Sequence, residues 1–132
     1  MKSTSFRFFP AVMLVLSLSQ FAYAADVVVI SNSGIIISAG DVKDVFLGEK
    51  QFAGSTKLIP VDNAALQAGF LTKYMNLSAD KYNSMWTKKS FRDGLTPPAV
   101  KQSDAEVVEY VKRTPGAVGY VSAAPAGVNL AK

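Results

Sequence analysis

The chain has no histidine and no cysteine among its 132 residues. The usual carrier of acid–base chemistry near neutral pH and the thiol nucleophile are therefore both missing. There is no Gly-x-Ser-x-Gly elbow and no set of carboxylates at metal-ligand spacing. Lys101, Asp104 and Glu106 stand close together, but in this order they read as a helix start with a solvated face. These residues point away from an enzyme and imply no cofactor and no metal. Two polar clusters remain that could hold a ligand by hydrogen bonds. One is the turn Ser31, Asn32, Ser33 and Gly34, and the other is the pair Asp62 and Asn63. Each also has a plainer reading, as an ordinary turn and as a helix N-cap.

The elements around these clusters follow from the hydrophobic pattern. Asp26 to Ile30 is a β-branched run suited to a strand buried on both faces, and it ends in the Ser31–Gly34 turn. Ligands in open α/β sheets gather beyond the carboxyl ends of strands, which is where that turn falls. Ile35 to Ile37 reads as a second extended run. Ser38 and Asp41 have the spacing of a capping box, and Val42, Val45 and Phe46 then share one helical face up to Gly48. Glu49 to Ser55 reads as a loop. Lys57 to Val61 reads as a strand whose proline suits a terminus or a sheet edge but not a central ladder.

Asp62 or Asn63 is expected to cap the next helix, which carries Leu66, Phe70 and Tyr74. Ser78 caps a further helix with Tyr82, Met85, Trp86 and Lys89 on one face, a stripe that reads as core. Phe91 to Val100 reads as a loop. Ser103 and Glu106 form a full capping box before Val107, Val108 and Val111, and Thr114-Pro115-Gly116 breaks that helix. Ala117 to Ser122 is a final strand, and the tail from Ala123 is expected to be loosely held. The order is strand, helix, strand, three helices, strand. This predicts an α/β fold with a small mixed sheet covered by helices.

The first 24 residues read as something other than fold. Lys2 and Arg7 precede an apolar run from Phe8 to Leu18, and Ala22-Tyr23-Ala24 is a small-x-small cleavage site. The run is shorter than the roughly 20 residues a bilayer span needs, so it reads as a secretory signal peptide. Residues 25–132 then form one domain. Loss of Lys2 and Arg7 lowers the net charge from +4 to +2. That balance gives no support to nucleic-acid binding. The pairs Lys88-Lys89 and Lys112-Arg113 read as helix ends, where cations complement the dipole.

From about Ile35 to Val121 the order of features resembles the second half of phosphate-type periplasmic substrate-binding proteins of ABC transporters. The pieces are Phe46-Leu47-Gly48, Phe70, Trp86, Phe91-Arg92-Asp93-Gly94, Pro97-Pro98 and Pro115 to Tyr120. The resemblance implies one lobe of a type II periplasmic-binding-protein-like fold, with Trp86, Phe91 and Tyr120 filling the layer between helices and sheet. It implies an exported, periplasmic solute-binding protein for a small oxyanion such as phosphate, working with a membrane transporter. Ser31 to Gly34 and Asp62-Asn63 are then the candidate contacts. Family members that grip phosphate carry a Ser-Gly-Thr-like turn at a helix start with an arginine nearby. This chain has Asp62-Asn63-Ala64-Ala65 there. The resemblance covers one lobe of a two-lobed binder, whose other wall a homodimer or a partner protein would supply. The alternative is a non-catalytic interaction module that keeps the lobe as a scaffold without binding solute.

Overall fold

The computed structural model describes residues 26–132, and the leader read over residues 1–24 lies outside them. The described strands and helices begin with β1 (Val28–Ser31), α1 (Val42–Phe46), β2 (Phe52–Ala53), β3 (Thr56–Lys57) and β4 (Ile59–Asn63). They continue with α2 (Gln67–Phe70), α3 (Ala79–Asp93), β5 (Ala99–Lys101), α4 (Asp104–Arg113), β6 (Ala117–Val121) and β7 (Asn129–Leu130). β2 and β3 form a small hairpin. The other five strands make one mixed sheet in the order β5-β4-β6-β1-β7. β4 runs parallel to β5 and β6, while β1 runs antiparallel to β6 and β7. Helices pack on both faces of the sheet, so the fold is mixed α/β. No helix among the described residues is long and apolar enough to cross a membrane.

β6 is the spine, and all five of its residues are buried. Its side chains alternate between two cores, as the strand period requires. Val118 and Tyr120 join Phe46, Phe70, Tyr82 and Trp86 on one face. Ala117 and Val121 join Ile30, Val61, Val107 and Val111 of the other, beneath α4. Phe70 stacks on the Tyr120 ring at a centroid distance of 3.9 Å, and Phe46 lies 4.7 Å from Phe70. Two glycines explain why the stretch before Tyr120 is so restricted. Gly116 has φ +82°, and a Cβ there would stand 2.0 Å from the Lys57 carbonyl oxygen. A Cβ on Gly119 would stand 2.6 Å from Val107 Cγ1, so only glycine lets α4 sit this close to β6.

Several expectations change. β4 lies second in the sheet, between β5 and β6, despite Pro60. The Ile59 N–H donates to the Gly116 carbonyl and the Ala64 N–H to the Lys101 carbonyl. By alternation, the position of Pro60 faces β5, whose pairing begins only at Val61. The proline therefore costs no ladder bond. The strand also runs on through Asp62 and Asn63, so neither caps the next helix, and Leu66 stands at the cap of α2 instead. That helix is short, and it passes into a π-helical turn over Leu71–Met75 that Asn76 ends at φ 51°. The Ser38 side chain makes no cap bond, and a 3-10 turn over Ala39–Asp41 leads into α1. The Ile35–Ile37 run buries its first and third residues but joins no ladder.

α3 runs on to Asp93, three residues into the expected loop, leaving Lys88-Lys89 inside it and Phe91 89% exposed. Phe91 therefore does not fill the layer over the sheet, whereas Trp86 and Tyr120 do. The tail is held by β7 and by Ala39 N–H donating to the Lys132 carbonyl. The capping of α3 and α4 is as expected. Ser78 Oγ accepts from Lys81 N–H, and Ser103 Oγ accepts from Glu106 N–H while Glu106 Oε2 accepts from Gln102 N–H.

Candidate functional site

The two polar clusters lie toward opposite ends of the sheet. Ser31 stands opposite Val118, near the start of β6. β4 enters beside the same region and leaves at Asn63, near the far end of β6. Along the strand direction the separation is about 10 Å, from the rise per residue. The cause is the antiparallel course of β1, which puts its carboxyl end at the amino ends of its parallel neighbours.

The polar groups of the Ser31–Gly34 turn serve the fold. Ser31 is buried, and its hydroxyl donates to the Ile35 carbonyl at 3.3 Å. Asn32 Nδ2 donates to the Val111 carbonyl at 2.9 Å and the Lys112 carbonyl at 3.3 Å, closing the end of α4. Its Oδ1 accepts from Gly34 N–H at 3.0 Å, an Asx turn. The Ser33 carbonyl accepts from Asn129 Nδ2 at 3.2 Å.

Asp62 is a core residue. It is 2% exposed, and its carboxylate accepts from the Tyr82 hydroxyl on α3 and the Tyr120 hydroxyl on β6, each at 2.8 Å. Burial pushes its carboxyl above the usual range, and the two tyrosine donors offset only part of that. Burial and the adjacent carboxylate push both tyrosines up as well, so they stay protonated donors. Asp62 lines the hollow between α3 and β5.

The carboxyl end is organised around a different acid. The chain leaves β4 through α2 and α3 to reach β5 on one side, then returns through α4 to β6 on the other. The carboxyl ends of β4 and β6 lie at the same end of the sheet. Asn63, Asp104 and Ser122 meet there. Asn63 Nδ2 donates to Asp104 Oδ1 at 2.7 Å and to the Tyr120 carbonyl at 3.0 Å. Asp104 Oδ2 accepts from Ser122 N–H at 3.0 Å and from the Ser122 hydroxyl. Partial burial alone would raise the Asp104 carboxyl. The Ser122 hydroxyl, the Ser122 N–H and the Asn63 amide outweigh it and hold the group below the usual range. A backbone N–H, a hydroxyl and an amide thus converge on one carboxylate, a donor set of the kind that holds an oxyanion.

Among the described residues no buried side-chain nitrogen or oxygen lacks a partner, and no group of three or more acids is placed to hold a metal. Tyr82, Tyr120, Asp104 and Ser122 were not among the residues singled out as ligands from the sequence. Asp104 is legible as a helix start, but its bonds to Ser122 and Asn63 join positions 18 and 41 residues away. No local pattern encodes that. No family model matches the chain, and no curated protein matches it.

Proposed function

We propose that the chain is an exported, non-catalytic interaction module that keeps one lobe of the substrate-binding type as a scaffold. The observation that carries this reading is the Asp104 carboxylate bonded at the carboxyl ends of β4 and β6. It takes up the donors of Asn63 and Ser122 that a free oxyanion would need. A dianion entering there meets a negative charge in place of open N–H groups, which disfavours capture. The Ser31–Gly34 turn cannot help it, because it stands toward the other end of the sheet and the Ser31 hydroxyl and the Asn32 amide already have partners. The reading predicts a periplasmic location, checked by osmotic-shock fractionation. It also predicts that calorimetry of the purified protein with phosphate and with sulfate gives no saturable heat up to about 1 mM, the edge of measurable affinity at roughly −4 kcal/mol.

The phosphate-type solute-binding reading, in partnership with an ABC transporter, is favoured by one feature. The donor set on Asp104 is itself of the oxyanion-holding kind, and Asp104 sits near the surface. On that reading a second wall displaces Asp104 and lends its own donors. Saturable phosphate binding would select it over the docking reading.

A further inference from the structure

We propose that the hollow between α3 and β5 is a binding site for a primary alkylammonium ion, with the ammonium group at Asp62 and the hydrocarbon chain along Trp86 and Phe91. The site is separate from the Asp104 cluster and goes beyond the docking reading above. The hollow measures about 500 Å³, within the usual range for a small-molecule pocket. One wall is a strip of α3 that includes Tyr82, Trp86 and Phe91, and Pro97, Pro98 and Val100 line the other. Val100 is the register partner of Asp62, so both side chains lie on the sheet face that α3 covers. From Tyr82 to Phe91 the wall runs for about 13 Å at the helical rise, so the hollow is a groove with room for a chain.

Asp62 is the only charged side chain that lines the hollow. It is buried, and among the described residues it makes no ion pair. A buried carboxylate ordinarily has a cation beside it. Here two neutral hydroxyls stand in that place, and each occupies one oxygen: Tyr82 donates to Oδ2 and Tyr120 to Oδ1. A carboxylate offers about four acceptor places, so about two stay open to N–H donors. Burial pushes the carboxyl upward, and no cation nearby opposes it.

These features select the ligand. The Asp62 carboxylate repels an anion. A hard metal ion needs several oxygen ligands, and no group of three or more acids among the described residues is placed to hold one. A quaternary ammonium has no N–H to give to the open places on the carboxylate, whereas a primary ammonium has three. The carboxylate has already left water, so only the cation's own hydration is lost on binding. The chain of the ligand then lies against the apolar end of the groove, where it covers Phe91, the most exposed large apolar side chain among the described residues.

The test titrates the purified protein with hexylammonium, hexanoate and tetramethylammonium at about pH 8, where lysine-like amines keep their charge. Binding is read by calorimetry and by the fluorescence of Trp86, the only tryptophan, which lines the hollow. The expected result is saturable binding of hexylammonium alone, below about 1 mM. Asp62→Asn removes the charge and keeps acceptors for the tyrosines, and it should weaken binding about tenfold or more. Phe91→Ser should weaken it several-fold without lowering the melting temperature. If Asp62→Asn fails to fold, Phe91→Ser and the comparison with hexanoate carry the test. Hexanoate or tetramethylammonium binding as tightly as hexylammonium overturns the proposal, as does the absence of hexylammonium binding. So does binding indifferent to both substitutions. Tighter binding of a capped lysine also overturns it, because the occupant would then be a side chain of a partner protein. Each of these results leaves the phosphate calorimetry, and so the wider docking reading, to be decided separately.

Discussion

Asp62 offers a prediction that follows from one carboxylate and two hydroxyls. Asp62→Ala removes the acceptor of both Tyr82 and Tyr120, which bond it at 2.8 Å inside the core. Each stranded hydroxyl costs about 1–3 kcal/mol, so the pair costs about 2–6 kcal/mol. A domain of this size is stable by only about 5–15 kcal/mol. At about 4 °C per kcal/mol, the melting temperature should fall by roughly 8–24 °C. Asp62→Asn separates charge from hydrogen bonding. The amide oxygen accepts from one tyrosine and the amide nitrogen donates to the hydroxyl oxygen of the other, so the bonds survive while the buried charge is gone. Because burial raises the folded-state pKa of Asp62, the folded protein holds that proton more tightly than the unfolded chain does. The stability linked to it is complete below the ordinary carboxyl range and is lost as pH climbs through the raised value. Asp62→Asn has no such loss. Urea melts of both proteins across pH 4 to 8 should therefore show the variant gaining on the wild type as pH rises, then levelling off. A difference that stays constant, or that shrinks with rising pH, would refute the assignment of Asp62 as a buried charge.

Asp104 should behave with the opposite sign. Its lowered pKa gives stability that is present above the ordinary carboxyl range and lost as pH falls through the folded value. Asp104→Asn should abolish that acid sensitivity in the same melts. Gly119→Ala places a methyl 2.6 Å from Val107 Cγ1 and should cost about 1–3 kcal/mol, with partial recovery in the double variant with Val107→Ala. Phe91→Ser should leave stability within about 0.5 kcal/mol of wild type by thermal melting, because the ring is 89% exposed.

The sheet was legible where its strands carry unmixed β-branched runs. Val27 to Ile30 declares itself in this way, while Ala117 to Val121 is marked by the Thr114-Pro115-Gly116 break before it. The cap at Ser78 and the capping box at Ser103 fixed two helices, because the bonds that start a helix lie within four residues. What could not be read is long-range. Pro60 looks foreign to an inner strand until β5 is seen to begin one residue later. Asp62 resembles a helix cap because a polar residue after an apolar run is usually one. Its two tyrosines stand 20 and 58 residues away. Phe91 is core only on the family resemblance. Five residues on from Trp86, it leaves the buried stripe and faces solvent. The antiparallel course of β1, which parts the two polar clusters, is a matter of topology that no local spacing records.

The most direct measurement follows the Ser122 amide, which donates to Asp104 at 3.0 Å, by nitrogen–proton correlation NMR while inorganic phosphate is added. The docking account predicts that this resonance shows no saturable shift up to about 1 mM phosphate. A shift that saturates at micromolar phosphate would mean that the donors around Asp104 accept the anion after all, and would contradict the account.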